Sequence, residues 1–242
     1  MQQILVYGDS LTWGIVPNTR RRLDFSARWP GVLEAALFAA RQPARIIEDC
    51  LNGRRTVWDD PFKPGRNGLE GLEQRIELNS PLALVILMLG TNDFQVMHAH
   101  DAWQSAQGLA GLVRAIRRVP IEPDMPRPPI LLVAPPPIAS PRGPIAAKFR
   151  GAEEKSQGLA AAIAAVAREY DCRFFDAASA TQSSRVDGVH LDADQHAILG
   201  KALAAAVLDV WSGRRRLRSA FGERTAAFGH RADHRHQLAV RC

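Results

Sequence analysis

The octet Leu82–Leu89 (LALVILML) is the most apolar stretch of the chain, and no polar residue interrupts it. A run of this kind, far short of the ~18 apolar residues that a membrane span needs, suits a strand buried on both faces. Strands of that kind belong to parallel sheets with helices above and below. The segments around it agree. Gln3–Tyr7 (QILVY), Arg45–Leu51, Ile130–Ala134 and Cys172–Phe175 are short apolar runs that read as further strands. Between them, helical spacing of apolar residues covers Trp29–Ala40, Leu69–Leu78, a segment from an Asp101 N-cap to about Arg118, Gly151–Tyr170 and Asp192–Trp211. Val119–Pro129 holds five prolines and reads as a loop. Strands separated by helices form right-handed βαβ units. The expected fold is therefore α/β, a flavodoxin-like, doubly wound, five-stranded parallel sheet with helices on both faces, in one domain over residues 1–211.

In such a sheet ligands bind beyond the carboxyl ends of the strands. Four polar clusters fall at those ends: Gly8-Asp9-Ser10-Leu11, Asn52-Gly53-Arg54, Gly90-Thr91-Asn92-Asp93 and Asp187-Gly188-Val189-His190. Each offers a chemical role. A serine just after a strand presents its hydroxyl, but it is a weak nucleophile until a base takes its proton. His190 is a candidate base, and Asp187, three residues earlier on the same loop, can hold the ring in the required tautomer. A developing oxyanion needs preorganised donors, and the N–H groups of Ser10 and Gly53 with the Asn92 amide supply three. Taken singly, Ser10 is equally a helix N-cap and Asn92 a turn residue. Asp9 and Asp93 read as braces that accept hydrogen bonds from loop backbone.

These blocks, in this order and spread over residues 4–211, resemble the SGNH (GDSL) hydrolase superfamily. Gly8-Asp9-Ser10-Leu11-Thr12-Trp13-Gly14, Arg28-Trp29, Asp59-Asp60-Pro61, Leu89-Gly90-Thr91-Asn92-Asp93 and Asp187-Gly188-Val189-His190 are similar to its bacterial arylesterase/acyltransferase branch. The resemblance implies a triad of Ser10, Asp187 and His190 and an oxyanion hole of Ser10, Gly53 and Asn92. It also implies a small-molecule ester substrate with a short acyl group, no cofactor, and a homo-oligomer with restricted access to the site. A pocket lined by Leu11, Ile15, Thr91, Ile145, Phe149 and Val189 would follow, although core packing accounts equally well for its apolar members. Acyltransferring members carry tryptophan and lysine where this chain has Ile15 and Gln95. That difference is expected to open and neutralise the pocket mouth. A carbohydrate or metabolite O-deacetylase would use the same triad, and a silent binding protein acting through the tail is the reading from another class.

Other chemistries lack their signatures. There is no G-x-x-x-x-G-K-[ST] loop, no H-E-x-x-H, and no G-x-S-x-G around Ser10. No metal site is expected. His98, His100 and His196 read as solvated, and Trp13 and Trp29 as core. Cys50, Cys172 and Cys242 are an odd number without C-x-x-C spacing, which fits a reducing cytoplasm better than a disulfide framework. The N-terminus has no basic segment or cleavage site, so a signal peptide is not expected. The net charge of +6 suggests a polyanion partner until it is located. Residues 212–242 hold eight Arg against Glu223 and Asp233, which accounts for the whole excess. The remaining body is balanced, so neither nucleic acid nor a membrane is an expected partner. The tail itself reads as a disordered appendage.

Overall fold

The computed structural model describes residues 1–212. Its sheet has five strands, β1 (Gln2–Gly8), β2 (Ala44–Cys50), β3 (Leu84–Met88), β4 (Ile130–Ala134) and β5 (Arg173–Asp176), in the order β2-β1-β3-β4-β5. All pairings are parallel, as the pattern of apolar runs predicts. β1 lies between β2 and β3, with Ile4 opposite Ile46 on one side and Leu84 on the other. Every residue of β3 and β4 is buried, which is why their sequences show no alternation. The connection from β1 turns one way to β2 and the next crosses back to β3. The switch point therefore lies at the carboxyl ends of β1 and β3.

Helices α1 (Ser10–Trp13), α2 (Trp29–Ala39), α3 (Leu72–Asn79), α4 (Ala102–Arg118), α5 (Ala152–Lys155) and α6 (Leu159–Glu169) join the strands. Another helix, α7, starts at residue 193. α4 begins with a reciprocal capping box. Asp101 Oδ1 accepts the Gln104 N–H at 2.8 Å, and Gln104 Oε1 accepts the Asp101 N–H at 2.9 Å. The single helix expected over 151–170 is divided into α5 and α6, because Gly158 takes a left-handed φ of 82° between them. Residues Met1–Ala204 form one compact unit, and 205–212 are helical. The basic tail beyond 212 lies outside the described residues. Among the described residues no helix is long and apolar enough to cross a membrane.

The three histidines expected in solvent are not there. His196 is fully buried, and its Nδ1 accepts the Trp29 N–H at 3.2 Å. Its helical neighbours at +3 and +7, Leu199 and Leu203, are equally buried, so the position belongs to the apolar stripe of α7. Desolvation, followed by the charges of His190 and Arg28, pushes the His196 pKa down to about 3. His98 and His100 are half-buried and stack at 4.9 Å between ring centroids, with Trp58 against His100 at 4.1 Å. Trp29 is core, as expected.

α4 also packs directly on the loop after β2. A Cβ on Gly108 would lie 2.0 Å from Thr56 Oγ1 and 2.6 Å from Thr56 Cβ. Gly108→Ala is expected to lose about 1–3 kcal/mol to this overlap. Intrinsic helix propensity alone predicts a gain of about 1 kcal/mol. Urea denaturation distinguishes the two, and a stabilised variant would show that Thr56 can move away without cost.

Candidate active site

The turn after β1 is built for a small residue followed by a cap. A Cβ on Gly8 would meet Thr12 Oγ1 at 2.2 Å. Asp9 caps α1, its Oδ1 accepting the Leu11 N–H at 2.9 Å, and Gly14 ends the helix at φ 81°. Ser10 is thus the first residue of a helical turn, where its N–H has no intrahelical acceptor. It is 7% exposed.

The loop before α7 brings the other two members of the expected triad. His190 Nε2 is 3.1 Å from Ser10 Oγ, and His190 Nδ1 is 2.7 Å from Asp187 Oδ2. Asp187 Oδ1 accepts the N–H groups of Val189 and His190, each at 2.9 Å. Burial alone would raise the Asp187 pKa. The hydrogen bond and charge of His190, with the two backbone donors, outweigh it and hold the carboxyl below its usual value. Main-chain bonds fix the loop: Ser184 N–H to His190 O, Gly188 N–H to Ser184 O, Ala139 N–H to Gly188 O and Arg142 N–H to Asp187 O. Gly188 has φ 76°, and a Cβ there would lie 2.3 Å from Ser140 O. Two lengths of chain press together at that point.

A cleft of about 340 Å³ opens over this row. Gly53 and Asn92 line it together with the triad, as do Ile15, Ile145 and Phe149. Gly53 sits at φ 86°, and among the described residues its N–H meets no acceptor. The Asn92 amide is already engaged. Its Nδ2 donates to Asp9 Oδ2 at 3.0 Å and to the Arg54 carbonyl at 3.1 Å, while its Oδ1 accepts from Gln95 Nε2 at 2.7 Å. An oxyanion in the cleft has to share the Asn92 Nδ2 hydrogens with these acceptors or displace one of them.

Three of the residues expected to line the pocket lie elsewhere. Leu11 and Val189 are buried away from the cleft. Thr91 lines a separate cavity of about 260 Å³ with Phe94, Pro135 and Leu159. Each is the chain neighbour of a cleft residue (Ser10, His190 and Asn92 respectively), and adjacent side chains on a tight turn point in different directions. Gln95 is not a mouth residue either. It is fully buried, and its Oε1 accepts from Arg55 Nη2 at 2.7 Å. The mouth instead carries Arg20, Lys63 and Lys148, so it is positively charged where the sequence suggested a neutral one.

Several supporting residues escaped the reading of the sequence. Arg54 bonds the carbonyls of Gly8 and Asp49 and the Asp49 carboxylate, and its guanidinium lies 3.8 Å from the Tyr7 ring centroid. Arg55 is fully buried and bonds Asp60 at 3.1 Å. The signal available was two arginines directly after a strand end in a charge-balanced body. Asp9 and Asp93 do act as braces. Asp93 accepts from Thr56 N–H, Thr56 Oγ1 and Ser105 Oγ. Desolvation raises both carboxyls to about 6, against the hydrogen bonds that each accepts. Among the described residues, no group of three or more His, Cys, Asp or Glu is placed to hold a metal ion.

The GDSL-like lipase/acylhydrolase family matches residues 6–198. A carbohydrate acetylesterase from Sinorhizobium meliloti superposes with a TM-score of 0.82 at 34% identity, covering 87% of this chain and 100% of that one. The M. smegmatis aryl esterase superposes with a TM-score of 0.81 at 36% identity, covering 86% of this chain and 99% of that one. A search of curated proteins finds no match. The chain belongs to the GDSL-like lipase/acylhydrolase family. It is a carboxylic ester hydrolase with the SGNH hydrolase fold.

The raised Asp9 pKa has a measurable consequence. Between its unfolded value near 3.8 and its folded value near 6, the folded chain holds a proton that the unfolded chain has lost. The folded state therefore gains stability from Asp9 as the pH falls through 6, by up to about 1.4 kcal/mol per pH unit. Wild type should gain relative to Asp9→Asn in urea denaturation between pH 7 and pH 5. A difference that does not change with pH would show that Asp9 stays ionised.

Proposed function

We propose that the protein hydrolyses short acyl esters through a covalent acyl-Ser10 intermediate. The observation that carries this reading is the unbroken row from Ser10 Oγ to His190 Nε2 and from His190 Nδ1 to Asp187 Oδ2. Asp187 Oδ2 accepts a hydrogen bond from the Nδ1–H, which leaves the Nε2 lone pair facing the serine hydroxyl. His190 Nε2 takes the Ser10 proton as Oγ bonds to the ester carbonyl carbon, and the carbonyl π electrons move to oxygen. The N–H groups of Ser10 and Gly53 and the Asn92 amide receive that oxyanion. The bond to the leaving alkoxide then breaks, with His190 returning its proton to that oxygen, and the alcohol departs.

Water enters next and gives its proton to His190. Its oxygen attacks the acyl carbon, and the second tetrahedral intermediate collapses by breaking the bond to Ser10 Oγ, which takes the proton back from His190 as the acid is freed. An alcohol in place of water gives acyl transfer by the same steps. Ile15, Ile145 and Phe149, in a cleft of about 340 Å³, support a small apolar ester portion. Similarity to the M. smegmatis aryl esterase favours aryl esters. Similarity to the S. meliloti carbohydrate acetylesterase favours a second reading, removal of O-acetyl groups from a carbohydrate, by the same chemistry.

The test is turnover of 4-nitrophenyl acetate together with intact-mass detection of a fluorophosphonate adduct. Ser10→Ala should lose both, and a folded wild type showing neither would end the esterase reading. Asp187→Asn, shown to be folded by a cooperative thermal unfolding transition, should lose kcat on the order of 10⁴-fold. A loss below tenfold would remove Asp187 from the orienting role.

A further inference from the structure

Arg20, Lys63 and Lys148 come from three separate connections: between α1 and α2, between β2 and α3, and between β4 and α5. All three line the cleft that holds Ser10 and His190. Among the described residues the one acid lining that cleft is Asp187, whose carboxylate is taken up by His190 and two backbone donors. Among the described residues none of the three cations is within salt-bridge distance of a carboxylate. The Asp60 carboxylate acts electrostatically on both lysines without a salt bridge to either. Asp60 is itself committed to the Arg55 guanidinium and the Phe62 N–H.

Composition does not explain this clustering, because the body apart from the tail is balanced in charge. Around the neighbouring strand ends, by contrast, three arginines meet anions. Arg28 pairs with Glu48, Arg54 with Asp49 and Arg55 with Asp60. At the mouth the three cations share one cleft. Lys63 and Lys148 are both held below the usual ammonium pKa, first by desolvation; like charge, including that of Arg20, adds to this, and Asp60 opposes it. Three convergent cations, none salt-bridged to a carboxylate among the described residues, concentrate an anionic ligand and repel a cationic one.

From this juxtaposition we infer that the ester this cleft selects carries an anionic group, a carboxylate or its equivalent, held at the mouth by Arg20, Lys63 and Lys148 while its carbonyl lies over Ser10. This inference rests on the esterase reading and specifies its substrate class. The anion can belong to the alcohol portion or to the acyl portion, and one experiment separates the two.

The experiment measures kcat/KM for two matched pairs of esters. 4-Acetoxybenzoate against its methyl ester places the charge on the leaving group. Mono-4-nitrophenyl adipate against its methyl ester places it on the acyl group. In at least one pair wild type should prefer the anionic member on the order of tenfold or more at low ionic strength, with the preference shrinking as salt is added. The preference ratio should collapse toward one in Arg20→Gln/Lys63→Gln/Lys148→Gln. Fluorophosphonate labelling of Ser10 checks that this variant is folded with its site intact, and the single substitutions serve if it is not. Neutral esters cleaved as well as anionic ones by wild type would overturn the inference and leave the esterase reading standing. A preference that survives the triple substitution would overturn it equally. Failure to cleave any of the four esters, with no labelling of Ser10, would bring down the esterase reading itself.

Discussion

Asn92 holds the site in register. Its amide donates to Asp9, after β1, and to the Arg54 carbonyl, after β2, while its own residue follows β3. One side chain thus ties together the carboxyl ends of three adjacent strands. Each bond is buried, where an unpaired polar group costs roughly 1–3 kcal/mol, so the three ends cannot drift independently. Gln95 closes the arrangement from the other side of the amide and passes it on to Arg55 and Asp60. Asp93, the next residue, does the same for α4 by joining Thr56 to Ser105. Ser10, Gly53 and Asn92 share one cleft because the strand ends beneath them are cross-linked in this way.

The sheet was legible because its strands are buried on both faces. A run such as Leu84–Met88 has no alternative as a surface element, and the loops between such runs leave little freedom of order. The chemical residues could be read for a related reason: they stand at strand ends, where the fold concentrates function. Ser10, Gly53, Asn92, Asp187 and His190 all face the cleft expected of them. What escaped were matters of direction and tertiary pairing. Leu11, Thr91 and Val189 stand beside cleft residues in sequence and point elsewhere in space. His196 looks polar in isolation, yet it lies on the apolar stripe of its helix and finds a donor in the Trp29 backbone. Gly158 resembles other helical glycines until its left-handed φ divides a helix in two. None of these follows from period or composition, because each depends on what is packed opposite.

Charge is distributed in two different ways within the same few loops. Beneath the cleft, Arg54 and Arg55 are paired, desolvated and tied to main-chain carbonyls or carboxylates, so their role is to fix the backbone. Above it, Arg20, Lys63 and Lys148 make no such bonds. The first set shapes the site and the second gives it a field. Both would be counted alike in a tally of basic residues, and only burial and partners distinguish them.

The loop from Asp187 to His190 is anchored mainly through backbone atoms, with Gly188 pressed against the Ser140 carbonyl. Bonds of that kind do not depend on which side chains the opposing segment carries, provided it follows the same path. The stretch from Ser140 to Lys148 is therefore able to change its side chains across related proteins while His190 keeps its place. Recognition and bond-breaking then occupy the same loops but evolve as separable properties, and one glycine defines the boundary between them.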